Sequence, residues 1–240
     1  MNAYQKFSYV YDKLMYDCDY TLWSQYLISN VFGKGVDLAC GSGKITIPLK
    51  KSGLDVYGVD ISQDMLKMAN ENARKEGVKI NFIQSDLTTF PKTTTLDFAT
   101  LVIDGLNYVN GKKIPDFFKR VYDSLNSGGK FIFDVSTEYK LTEYIANNFF
   151  YEDSDDITYL WTNKMPKNKA YVNFELSFFV KEGENYSRFD ESHKLYVHKD
   201  EFLRKCLIEA GFEIKEVLND KLKPLGKTKS MRAIYHAVKK

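Results

Sequence analysis

Short apolar runs alternate with stretches of helical periodicity through the first part of the chain. The runs at 56–59, 80–85, 98–103 and 131–133 are rich in β-branched and aromatic residues, and an earlier one begins at Val36. Runs of that length, separated by helical patterning, predict buried parallel strands in a βαβ series. Ser62 is placed to cap a helix that turns Met65, Met68, Ala69 and Ala73 inward, with Asp64 in its first turn and Gly77 at its stop. Phe117, Phe118, Val121, Tyr122 and Leu125 form a similar stripe, predicted to end at Gly128-Gly129. Ahead of the first strand, Tyr4, Phe7, Tyr11, Leu14 and Met15 share one helical face and Trp23, Tyr26, Leu27 and Val31 another, which predicts two helices covering the sheet edge.

After Asp134 the period changes to two. Val172, Phe174, Leu176 and Phe178 alternate with Asn173, Glu175 and Ser177, and Gly183-Glu184-Asn185 predicts a turn into a strand over 187–197. This antiparallel insert gives way to a helix with Phe202, Leu203, Cys206, Leu207 and Ala210 inward and Gly211 at its stop. Strands near 212–218 and 233–238 then predict a closing hairpin.

Acids recur at one structural place. The segment Val-Asp-Leu-Ala-Cys-Gly-Ser-Gly-Lys from Val36 holds Asp37 in its strand, and Gly41 and Gly43 lack the Cβ atoms that would keep a ligand off the turn. Asp60, Asp86, Asp104 and Asp134 each close a later run. The carboxyl ends of strands in an open α/β sheet form its ligand crevice, so these carboxylates are expected to line it with little to balance them except helix N-termini. Such a crevice suits a cationic, hydroxyl-rich ligand. A pyrophosphate would meet repulsion there, whereas S-adenosylmethionine carries a sulfonium, an ammonium and a ribose diol, and no phosphate. A dehydrogenase is disfavoured because Thr46 stands at the third glycine position of the turn and Asp37 precedes it, although Asp60, about twenty residues beyond the turn, suits the ribose of either cofactor.

Composition narrows the partners. The 240 residues are enough for one α/β domain with an insertion, and the 34 Lys+Arg against 32 Asp+Glu leave a net charge of +2, too little to favour nucleic acid or an anionic membrane. Cys18, Cys40 and Cys206 are too far apart for a metal motif or a disulfide framework, which fits a reducing cytosol and a cytoplasmic protein. No apolar stretch approaches the length of a membrane span or a leader, so a soluble, unprocessed chain is expected. The stretch 221–232 is basic without an acid; a solvated loop is the favoured reading and attraction to phosphate or RNA the alternative.

Several pieces taken in order carry a resemblance. The opening Tyr-Gln-Lys-Phe-Ser-Tyr-Val-Tyr-Asp-Lys-Leu-Met, the Asp-Leu-Ala-Cys-Gly-Ser-Gly turn, Val-Asp-Ile-Ser, Asp-Gly-Leu-Asn-Tyr, Gly-Gly-Lys-Phe-Ile-Phe-Asp and Glu-Ala-Gly-Phe together resemble the class I S-adenosylmethionine-dependent methyltransferases, in their small bacterial branch with a β-flap insert. The likeness spans nearly the whole chain. It implies a Rossmann-like, seven-stranded, mostly parallel sheet with a C-terminal antiparallel hairpin, built from 1–137 and 199–240 with 1–33 as a helical cover, and an antiparallel flap of 138–198 on the substrate side. It also implies a cradle for the methionine part from Asp37, Ala39, Gly41 and Gly43, ribose hydroxyls on Asp60, and the adenine edge at Asp86 and Leu87. Ile61 and Asp104 complete the cofactor set, with Tyr11 or Trp23 closing over it. Ala39 departs from the glycine more usual at its position and narrows the room there slightly.

Acceptor chemistry is less specified. Asn107 and Tyr108 lie where the acceptor should approach, although Asp-Gly-Leu-Asn-Tyr also makes a good turn on local chemistry alone, and Asp134 either faces substrate or caps the next segment. Alternation puts Phe189, Glu191, His193, Leu195 and Val197 on one side of a strand. Glu191 and His193 either form a flap-core pair or line the acceptor pocket with His193 as a base, and Arg188 is a further substrate candidate. There is no Asp/Asn-Pro-Pro-Tyr to grip an extruded base, no Pro-Cys nucleophile and no metal-ligand cluster. A small-molecule acceptor is therefore expected; a non-catalytic cofactor-binding regulator and an RNA methyltransferase are the alternatives.

Overall fold

Strands buried on both faces must find every backbone partner within the sheet, and the apolar runs do so in parallel. In the computed structural model, which describes residues 10, 18–92, 95–226 and 229–240, β1 (Lys34–Leu38) pairs with β2 (Asp55–Asp60) on one side and β4 (Leu96–Leu101) on the other. Next to β2 lies β3 (Phe82–Gln84), and next to β4 lies β5 (Leu125–Ser136). An antiparallel hairpin of β10 (Phe212–Asn219) and β11 (Arg232–Lys239) completes the seven-stranded order β10-β11-β5-β4-β1-β2-β3. Chain direction reverses its progress between β1 and β4, which opens a crevice at their carboxyl ends.

Helices cover both faces. On one, α4 (Ile114–Ser124) and α5 (Asp200–Ala210) bury Phe117, Phe118, Leu203 and Leu207 against Phe131, Phe133 and Tyr235. The Phe133 and Tyr235 rings stack at 4.7 Å, a pairing worth about 0.5–1.5 kcal/mol beyond area burial. On the other, α1 (Tyr20–Asn30) and α2 (Thr46–Lys51) bury Leu27, Val31 and Leu49 against Phe98, Ile132 and Ile234. Ser62 caps α3 (Gln63–Lys75) by accepting from the Met65 N–H at 3.3 Å; Leu66, Ala69 and Ala73 are its buried residues, while Met65 and Met68 are half-buried. The expected first helix, apart from a buried Val10, lies outside the described residues.

One boundary differs from expectation. The stripe of α4 stops at Ser124 rather than at Gly128-Gly129, because Leu125 is extended (φ −88°, ψ 149°) and already pairs with Leu96.

The second sheet is antiparallel, in the order of β6 (Phe149–Asp153), β7 (Ile157–Lys164), β8 (Tyr171–Glu182) and β9 (Asn185–Tyr196). Strands β8 and β9 are the alternating pair read from the sequence. Strands β6 and β7 show no alternation of apolar and polar residue types in the sequence, because aromatic side chains occupy both faces: Phe149 and Tyr151 are exposed while Phe150 between them packs on Trp161. The inner face buries Phe178 and Phe189 with Val10, and Val172 and Leu195 with Leu141 and Ile145 of a π-helical turn (Lys140–Ile145). Among the described residues no helix is long and apolar enough to cross a membrane.

Asn107 joins the two sheets. Its side chain is buried, accepts from the Ser136 N–H at 2.8 Å, and donates to the carbonyls of Ser136 at 3.3 Å and Tyr196 at 3.0 Å. Replacing it leaves buried backbone groups of β5 and β9 without partners, at about 1–3 kcal/mol for each. Asn107→Ala is therefore expected to lower the unfolding free energy by roughly 2–5 kcal/mol in urea titration; a loss within experimental error would show that the joint lies elsewhere.

Candidate functional site

The turn after β1 is built to lie open. Ala39, Gly41 and Gly43 take left-handed φ values of 52°, 53° and 83°, and a Cβ placed on Gly41 would meet no atom within 4 Å. An open cleft lies against this turn, walled by Asp37, Ala39, Gly41 and Lys44, Tyr20 of α1, and Val102 and Ile103 beyond β4. Its floor is charged. Asp37 is buried and accepts from the hydroxyls of Thr46 at 2.6 Å and Thr100 at 2.8 Å. Thr46 thus has a task where a dinucleotide turn would have glycine. Burial pushes the Asp37 carboxyl up to about 6, against the opposing pull of those two hydroxyls.

Asp60 ends β2 beside the turn. Its Oδ2 accepts the Gly41 N–H and its Oδ1 the Ser62 N–H, both at 2.8 Å. Burial raises its carboxyl despite these bonds. Each oxygen keeps lone-pair capacity for a further donor, such as a pair of vicinal hydroxyls. Among the described residues no cation pairs with Asp37 or Asp60. Lys44 also lines the cleft, but Asp37 and Asp60 outnumber it, so the balance favours a cationic ligand that also carries hydroxyl groups.

Next to Asp60, Ile61 is exposed and its carbonyl accepts from Gln84 Nε2 at 3.1 Å, which ties the ends of β2 and β3 together. Asp86 bends back on Thr88, accepting from its N–H at 2.7 Å and its hydroxyl at 2.6 Å, and the Thr88 hydroxyl does most to hold its carboxyl low. Leu87 packs on the core beneath. Tyr11 lies outside the described residues. Trp23 stacks on the Arg232 guanidinium at 5.9 Å, while Tyr20, three residues earlier on α1, lines the cleft.

The acid row is better balanced than its sequence suggests. The Arg232 guanidinium pairs with Asp134, which is fully buried, and lies 3.0 Å from Asp104 Oδ1, while Lys140 stands 3.6 Å from Asp104 Oδ2. Burial alone would raise the Asp104 carboxyl, but Arg232, Lys140 and the Ser136 hydroxyl outweigh it and hold it low. The expectation that little but helix N-termini offsets the acids is thus corrected for Asp104 and Asp134, which have cations, while Asp37 is held by hydroxyls and Asp60 by backbone N–H groups. Arg232 sits 98 and 128 residues from these partners in sequence, so no local pattern connects them. Ile103 and Asp104 both take left-handed φ, 64° and 66°, a strain of about 1–3 kcal/mol each. The Arg232 and Ser136 contacts keep Asp104 in that state.

The flap faces this edge. Tyr108 is about half exposed, at 51%, and meets the His193 ring edge-on at 6.0 Å. Its phenol is pushed up by desolvation and then by the charges of Asp104 and Asp60. Burial lowers the His193 imidazole and raises the Glu191 carboxyl, so each favours its neutral form. Arg188 is not brought to this edge. It points to the outer face of β9, where it holds Asp190 at 3.0 Å and covers Phe179. Asn107 is committed to backbone partners, as described above. Among the described residues no His, Cys, Asp or Glu cluster is arranged to hold a metal.

Comparison with known proteins places this arrangement. Residues 36–129 match the model of a methyltransferase domain. A 227-residue alignment is 31% identical, over 91% of this chain and 92% of its relative, to a Geobacillus protein named as a candidate methyltransferase. YqeM of Bacillus subtilis, similarly named, is 33% identical over 90% of this chain and 89% of its own. The crystal structure of an S-adenosylmethionine-dependent methyltransferase from Clostridium acetobutylicum superposes with a TM-score of 0.89 at 33% identity, covering 99% of each chain.

The buried Asp37 generates a stability prediction. With a folded value near 6 against an ordinary 3.8, its contribution is fully present below pH 4 and is lost as pH rises through 6. Asp37→Asn is expected to gain roughly 2–3 kcal/mol in urea at pH 7.5 and nothing near pH 4. An equal effect at both pH values would contradict the burial argument.

Proposed function

This chain belongs to the S-adenosylmethionine-dependent methyltransferases, and we propose that it moves the methyl group directly onto a small-molecule acceptor held between the cleft and the inner face of the flap. The observation that carries the reading is the pairing of a cation-seeking floor, Asp37 and Asp60, with a polar ceiling of Tyr108 and His193. The cofactor fits the residues present on their own chemistry. Two carboxylates that pair with no cation among the described residues suit a sulfonium and an ammonium, the oxygens of Asp60 suit a ribose diol, and the space over Gly41 admits close backbone approach.

When bound, S-adenosylmethionine supplies an activated methyl on a positively charged sulfur. The protein then has to orient the acceptor in line with the bond that breaks and exclude water. Asp37 and Asp60 hold the cationic end, Asp86 and Leu87 receive the base, and Tyr20 closes the side of α1. Tyr108 and His193 border the acceptor. His193, kept neutral by burial, is available to take a proton from an acceptor that must lose one. Asp104 and Asp134, neutralised together by Arg232 and Lys140, shape this end of the crevice without adding net charge.

Asp60→Ala should weaken cofactor binding at least about a hundredfold in calorimetry, since two hydrogen bonds to a charged group are lost at roughly 1.5–3 kcal/mol each. Unchanged affinity would contradict the ribose assignment. A cation favours ionised Asp37, so wild-type affinity should fall as pH drops from 7 to 5, and Asp37→Asn should flatten most of that slope. A pH-independent wild type would remove Asp37 from the binding charge. His193→Gln should lower turnover and leave cofactor affinity within about twofold; full turnover would return His193 to a packing role.

A further inference from the structure

The acids of the cleft and the ceiling of the flap leave the basic segment between β10 and β11 without a task. We propose that this loop is an anion subsite at the mouth of the cleft, made for a phosphate-type group that the acceptor carries away from the atom receiving the methyl. The inference rests on the small-acceptor reading above and names its substrate class.

Position comes first. Strand β11 runs antiparallel to β5 with Arg232 opposite Ser136, so the loop leaves the sheet at the carboxyl edge of the parallel strands, the edge that bears the cleft. Its described ends are held there. The Thr137 hydroxyl donates to the Ser230 carbonyl at 2.5 Å, the Thr137 N–H to the Met231 carbonyl at 3.2 Å, and Ser230 Oγ to Asp220 at 2.6 Å. Leu222 packs against the apolar cluster on the α1 face of the sheet, and Lys221 and Lys223 on either side of it are exposed.

Charge comes second. Residues 219–231 contain four lysines against one acid, Asp220, so this loop carries three net positive charges where the whole chain carries +2. The remainder of the protein is slightly acidic. Lys221, Lys223 and Lys229 are exposed and form no ion pair among the described residues. Lys229 lies 5.4 Å over the Tyr139 ring, next to Lys140, whose ammonium stands 3.6 Å from Asp104 on the crevice edge. A carboxylate needs one such partner. Several separate ammonium groups around one mouth match the spread charge of a phosphate or diphosphate. A nucleic-acid track would require basic groups extended along many phosphates, whereas here the surplus is confined to one loop.

The two potentials then orient the reactants: the cationic donor is drawn to Asp37 and Asp60, and the anionic tail of the acceptor to the loop.

Calorimetry with pyrophosphate as the probe, on protein saturated with S-adenosylhomocysteine, tests this. Wild type and a control Lys75→Gln/Lys79→Gln/Lys167→Gln, all exposed and remote in sequence from the loop, should bind alike. Lys221→Gln/Lys223→Gln/Lys229→Gln should bind about tenfold or more weakly while its cofactor affinity stays unchanged. If the cofactor binds normally but pyrophosphate binds neither protein, or binds the loop variant as well as wild type, the subsite is overturned and the methyltransferase reading stands. If wild type fails to bind the cofactor, the underlying reading fails instead. A single-stranded oligoribonucleotide that binds more tightly than pyrophosphate, with a steep salt dependence, would replace the small acceptor by RNA.

Discussion

Carboxylates placed at the ends of buried parallel strands repel one another and lose hydration, so each needs a partner or a ligand. This molecule answers in two ways. Asp104 and Asp134 share Arg232 and become part of the scaffold. Among the described residues Asp37 and Asp60 receive hydroxyl and backbone N–H donors, which orient them without cancelling their charge. The unspent charge sits where the chain direction of the sheet diverges, beside a turn whose backbone is open to approach. Cofactor selectivity therefore follows from which acids the protein leaves unneutralised, more than from how many it has.

The second sheet depends on the same edge. Its inner face is mostly apolar, with Glu191, His193 and the buried Asn163 among the polar residues on it, and it reaches the core through the backbone bonds of Asn107. That joint, the Tyr108 ring and the strained pair Ile103 and Asp104 all follow β4 directly. One short stretch thus carries the crevice wall, the joint to the second sheet and the Tyr108 ring that meets His193. Its left-handed backbone is the local consequence of turning the chain sharply while Asp104 stays anchored to Arg232.

Local sequence made much of this legible. Period-two and period-three patterns depend on neighbours, so β1, β2, β4, the cap at Ser62, strands β8 and β9 and the final hairpin could be read directly. The expected extent of α4 was too long because Leu125 continues an apolar stripe while its backbone has already entered β5. Strands β6 and β7 escaped because aromatic side chains occupy both faces. Arg232 escaped for a different reason: its partners are strand-end acids brought close only by sheet topology. Within the helix preceding β1, Tyr20 and Trp23 are both aromatic, and only the packed structure distinguishes the one that meets the cleft from the one that covers Arg232.

The separation of Arg232 from Asp104 and Asp134 bears on how the protein is made. A ribosome delivers the two acids long before the cation that lies 128 and 98 residues further along. Until β11 emerges and slots beside β5, the buried Asp134 lacks its cation, and Asp104 has only Lys140 and the Ser136 hydroxyl to offset it. Docking of that late strand is consequently the event that commits the chain, and assembly of the central layer is drawn toward the end of translation instead of proceeding evenly from the N-terminus.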